Sequence, residues 1–201
     1  MARNGNVNIA DLEAFRKQME ENLNQAEIQR FIEQCAKELA ARLLAKVIKR
    51  TPVGDYSKTI TVVAKRDSKK HKKGDTYTKK INPSGKKGGT LRRGWTAKTH
   101  EEAESGSGSG KPVAEYANSL KVTRTGDMYT IEIVNPVEYA PYVEYGHRQE
   151  PGRFVPAIGK RLKKGWVEGR FMLTISSQEV QRDAPRILEQ KLKRKLEECF
   201  K

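Results

Sequence analysis

Residues 55–88 concentrate the one chemistry this sequence advertises, attraction for anions. Lys58, Lys65, Arg66, Lys69, Lys70, Lys72, Lys73, Lys79, Lys80, Lys86 and Lys87 stand against Asp55, Asp67 and Asp75, a surplus of eight positive charges. The whole chain of 201 residues carries +15, so more than half of its net charge lies in about a sixth of its length. Such a surface attracts polyanions and repels its own copies. Only Tyr56 and Tyr77 in this stretch could stack on bases, and no helix-turn-helix, zinc-finger or RNA-binding signature accompanies them. Contact with DNA would therefore be phosphate-directed and salt-sensitive, without sequence readout. Docking on an acidic neighbouring subunit and an idle solvated loop are the alternatives.

Catalytic chemistry finds little support. His71, His100 and His147 have no nucleophile or paired carboxylate near them in the sequence. Gly85, Gly88 and Gly89 beside Lys86 and Lys87 lack the spacing of a phosphate-binding loop, which leaves turn chemistry. Cys35 and Cys199 show neither a disulfide framework nor a metal-ligand spacing, and both are expected to pack. No pattern asks for a cofactor or a metal. Tyr139, Tyr142 and Tyr145 step by three along a short helical segment, a pattern of core or interface. Glu144 and Arg148, four apart, are expected to form a local ion pair. These five residues are the candidate subunit interface.

The elements that position these residues read as α+β. A helix is expected over Ile9–Glu21. Asn24, with Glu27 three residues later, opens a second and longer one. Its apolar stripe (Ile28, Phe31, Ile32, Cys35, Ala36, Leu39, Leu43, Val47, Ile48) runs to Thr51-Pro52, where proline disfavours continuation. Residues 55–88 form either a projecting β-hairpin or a disordered loop. Leu91–Thr99 reads as a strand, Glu101–Lys111 as a Gly/Ser linker, and Leu120–Arg124 with Met128–Val134 as an antiparallel pair. Phe154–Ile158 and Trp166–Leu173 are short strand or loop pieces closing the sheet. Ser176, with Glu179 as its partner, opens a last helix that is expected to kink or restart near Pro185. The expectation is one domain over 1–201, a small mostly antiparallel sheet between two long helices, with a basic insertion at 55–88 and a Gly/Ser-rich loop at 101–111. No apolar run could span a membrane, and the N-terminus lacks the apolar core of a signal peptide, so synthesis in a cytoplasm is expected.

Two sets of residues carry a family resemblance. Tyr139-Ala140-Pro141-Tyr142-Val143-Glu144-Tyr145-Gly146 is followed by Gly152-Arg153-Phe154-Val155-Pro156-Ala157. Upstream, Thr51-Pro52-Val53 and Thr90-Leu91-Arg92-Arg93-Gly94-Trp95 read as two halves of one helix-to-sheet junction once 55–88 is removed. Together they resemble the neck and tail-completion proteins of long-tailed bacteriophages, the gene-product-ten-like minor tail components. The resemblance covers most of 25–54 and 89–160. It implies a virion structural protein made in the host cytoplasm: a tail-completion, tail-terminator or head–tail joining subunit at the head-proximal end of the tail tube of a phage, or the equivalent cap of a headless phage-tail-like particle. It further implies a homo-oligomeric ring, most simply a hexamer, in contact with tail-tube, sheath or connector proteins, with DNA passing through the lumen. The basic insertion lies outside what the resemblance covers. A basic, non-specific DNA-binding protein is the rival reading.

Overall fold

The computed structural model describes residues 24–83, 85, 88–106, 112–126, 128–156 and 160–199. The helix expected over Ile9–Glu21, residues 107–111 of the expected Gly/Ser linker, Lys86, Lys87 and the side chain of Cys199 lie outside them, whereas residues 101–105 of that linker are helical. The fold is α+β: a long helix near each end and, among the described residues, four separate two-stranded antiparallel ladders rather than one sheet. The chain divides into two compact units.

The first unit takes in residues 1–50, 110–134 and 142–201. Helix α1, Gln25–Arg50, starts where Asn24 accepts the Glu27 amide at 2.9 Å. Cys35, Ala40, Leu44 and Val47 are its buried positions. Leu44 is wholly enclosed although the sequence stripe favours Leu43, and burial pushes the Cys35 thiol up. Three elements of this unit pack on α1: α4 (Val113–Ser119), the hairpin of β3 (Val122–Thr125) with β4 (Met128–Ile131), and α6 (Met172–Cys199). β3 starts two residues and ends one residue later than expected, β4 ends three residues earlier, and the register sets Thr125 opposite Met128 across the turn.

Helices α1 and α6 run antiparallel, zipped by charge. Arg50 bonds Ser176 Oγ and Glu179 at 2.8 Å, Lys46 bonds Glu179 at 3.0 Å and Asp183 at 3.5 Å, and Lys191 reaches Glu38 at 3.1 Å. Helix α6 begins at Met172, four residues before the expected Ser176. It continues through Pro185 as one helix instead of restarting at Asp183. Pro185 is exposed, so its missing N–H costs a solvent-side bond only. Glu179 is thus no capping partner of Ser176, which is buried one turn inside the helix and bonds the Met172 carbonyl.

Between β4 and α6 the chain makes a long nested hairpin. Its outer pair is β5 (Gly146–Arg148) with β8 (Trp166–Glu168), and its inner pair is β6 (Phe154–Val155) with β7 (Lys160–Arg161). The bonds Gln149 N to Gly165 O and Leu162 N to Arg153 O join the two pairs. Only Trp166–Glu168 of the expected Trp166–Leu173 run is strand. Phe171 then turns the chain with a φ of 47°, unusual for a residue with a side chain, and Met172 is already helical.

The second unit takes in residues 51–109 and 135–141. Residues 55–88 do form a hairpin: β1 (Lys58–Val63) pairs with β2 (Thr76–Ile81) over six residues. The strand expected at Leu91–Thr99 is instead helix α2 (Thr90–Gly94) and a turn that ends at Thr99, the N-cap of α3 (His100–Ser105). Arg92 and Trp95 both bond Thr51; three residues apart, they share a face on a helix but not on a strand.

Candidate functional site

The two halves of the split motif meet in the second unit. Thr51 is fully buried. Its hydroxyl accepts the Trp95 indole N–H at 2.8 Å, and its carbonyl accepts two N–H groups of Arg92, at 3.1 and 2.6 Å. Asn135 donates to the Leu91 carbonyl at 2.9 Å and accepts the Val137 amide at 3.2 Å, closing a side-chain turn. The Asn135 side chain lies so close to Gly94 that any Cβ there would collide with it. Arg93 spreads its guanidinium over the carbonyls of Gly88, Ala103 and Glu104, the last two at the C-terminal end of α3, where a cation is favoured. Residues that look like a signature therefore act as a knot that holds the junction together. The ends of the basic insertion close on the same junction: a Cβ at Gly88 would strike the Gly54 carbonyl.

In the first unit the same logic governs Glu144. It is 6% exposed, and its carboxylate accepts the amides of Leu173 and Thr174 at 3.0 and 2.9 Å and the Thr174 hydroxyl at 2.8 Å. It caps α6 from another element and makes no pair with Arg148, correcting the expected local ion pair. Burial at the positive end of a 28-residue helix favours this arrangement over a surface salt bridge. Arg148 is exposed on β5 opposite Trp166. Gly146, at φ 84°, permits the turn from α5 (Ala140–Tyr145) into β5, where a side chain would collide with the Val167 carbonyl.

The tyrosines, by contrast, are exposed. Tyr142 and Tyr145 are 58% and 61% exposed, and Tyr142 meets His147 edge-on at 5.8 Å. Tyr139, in the turn before α5, is 41% exposed, and burial pushes its hydroxyl above the ordinary phenol range. Trp166, which the sequence reading did not nominate, is 49% exposed, with its ring 3.0 Å from the Cβ position of Gly146. Its place opposite Arg148 depends on the β5–β8 register, and no signal in the sequence fixes that pairing.

The described cations of the basic hairpin, Lys58, Lys65, Arg66, Lys69, Lys70, Lys72, Lys73, Lys79 and Lys80, are all exposed. The three histidines serve different surroundings. His71 stacks on Tyr77 at 4.2 Å, His100 starts α3, and His147 contacts Gln149 at 3.2 Å. Among the described residues no group of acids, histidines and cysteines could hold a metal, and no helix is long and apolar enough to cross a membrane.

Comparison with known proteins bears on this geometry at one point. Residues 13–86 and 78–146 match the family model described as "Bacteriophage HK97-gp10, putative tail-component", together spanning two-thirds of the chain. The two matches overlap at 78–86, the closing end of the basic hairpin, and stop before the Gly152–Ala157 motif. No curated protein and no solved structure matches the chain. The knot at Thr51 and the Glu144 cap both involve motif residues inside the matched span, and the chain belongs to the HK97-gp10-like family of bacteriophage tail components.

Proposed function

We propose that the protein is a ring-forming subunit at the head-proximal end of the phage tail tube, a tail-completion, tail-terminator or head–tail joining part. Its partners are copies of itself, most simply six, together with tail-tube, sheath or connector proteins. Its role is assembly rather than catalysis. Family membership supports the tail setting. The observation that carries the ring is that Tyr142, Tyr145 and Trp166 are each exposed rather than covered. Aromatic residues are enriched in interface cores and dominate their energetics. Tyr142 and Tyr145 share a short helix with Glu144, whose bonds to Leu173 and Thr174 fix that helix, so little ordering is needed on association. A ring of identical subunits requires two different surfaces that close on each other.

The test replaces Tyr142 and Tyr145 by Ser in one variant. Both side chains are mostly solvent-exposed, so the melting temperature is expected to stay near that of the wild type. Ring formation, alone or on isolated tail tubes, is expected to fail in negative-stain images. A variant that assembles as the wild type does would overturn the interface.

A further inference from the structure

We propose that the β1–β2 hairpin is a sequence-independent DNA-binding arm that grips the phosphodiester backbone of duplex DNA through the cations of its tip. The tip carries Lys65, Arg66, Lys69, Lys70, Lys72 and Lys73, all exposed, and among the described residues none of them has an ion-pair partner. The acids beside them are otherwise engaged. Asp67 accepts the Lys73 amide and Asp75 the Lys72 amide, each at 2.7 Å, so both carboxylates shape the turn. Ser68 adds bonds to the amide and carbonyl of His71, at 3.1 and 3.2 Å, and Ala64 pairs with Gly74 and Asp75 at the base of the tip. The charges are therefore displayed on a built loop, which lowers the ordering cost of binding.

The strands continue the same surface. Lys79 and Lys80 point to opposite faces of the ribbon, across from Ile60 and Thr59. A two-stranded ribbon fits the major groove of duplex DNA, and six residues reach about 20 Å. An acidic protein partner fits less well. Protein interfaces are depleted in lysine and anchored by aromatics, whereas the tip is mostly lysine and its one nearby aromatic, Tyr77, is occupied by His71. Lysine, a compact point charge, suits phosphate without reading bases. The proposal stands independently of ring formation.

Fluorescence anisotropy of the full-length protein on a short labelled duplex, across a salt series, tests it. Binding is expected to be equal on two unrelated sequences. Replacing Lys69, Lys70, Lys72 and Lys73 by Gln is expected to flatten the slope of log affinity against log salt by about 3–4. A charge-matched control, Lys163, Lys164, Arg186 and Lys193 replaced by Gln, should keep the wild-type slope. Circular dichroism checks that both variants fold. No duplex binding by the wild type, an equal loss in both variants, or arm-dependent binding to polyglutamate but not to duplex would each overturn the proposal.

Discussion

The carboxylate of Glu144 gathers three donors at the first turn of α6, two of them backbone amides that the helix itself cannot satisfy. Replacing Glu144 by Ala removes all three bonds and is expected to cost about 1–3 kcal/mol. Urea denaturation of the two proteins would measure it, and an unchanged midpoint would mean that the cap is dispensable. The sequence displays this glutamate only as a neighbour of Arg148 at helical spacing. Its partners lie about thirty residues downstream, and no local pattern reports a contact of that range. Thr51 is similar: it sits before a proline and reads as a helix stop, whereas its hydroxyl and carbonyl anchor Trp95 and Arg92. The basic arm is the opposite case, since its charge needs no partner to be noticed.

At the scale of elements, legibility followed periodicity. Helix α1 showed its stripe and its Asn24 cap over seven turns, and the β3–β4 pair showed alternation around Gly126. Helix α2 has five residues, too few for a period, and Leu91 within it and Trp95 at its C-cap mimic a strand. The start of α6 was hidden because its cap comes from α5, and the nested hairpin because its strands are two or three residues long. The α1–α6 zipper gives a pH dependence with a definite sign. Hydrogen bonds from Lys46 and Arg50 hold the Glu179 carboxyl below the ordinary glutamate range, and Arg42 and Lys191 do the same for Glu38. A folded-state value below the unfolded one contributes stability above the unfolded pKa, and that contribution fades as pH falls through the folded one. The melting temperature of the wild type is therefore expected to exceed that of Glu179→Gln at neutral pH, with the gap closing well below pH about 4.3. A gap that persists in strong acid would assign the effect to packing. The arm gives a second expectation. Because its ends close at Gly54 and Gly88, replacing the hairpin by a short turn should leave the melting temperature nearly unchanged, since closure depends weakly on loop length. Loss of folding would make the hairpin part of the core.

For the whole molecule, a net charge of +15 works against self-association, while the exposed Tyr142, Tyr145 and Trp166 are the residues proposed to favour it. Salt screens the first and leaves the second, so assembly is expected to rise with ionic strength, whereas binding through the arm to DNA is expected to fall. The two proposed activities are separable by one variable. The most direct test of the ring is analytical ultracentrifugation across protein concentration and salt, paired with negative-stain images of the same samples with and without isolated tail tubes. Closed rings of uniform diameter that form as salt rises, or on contact with tube ends, are the expected result. A protein that stays monomeric under every condition and never decorates a tube end would contradict it.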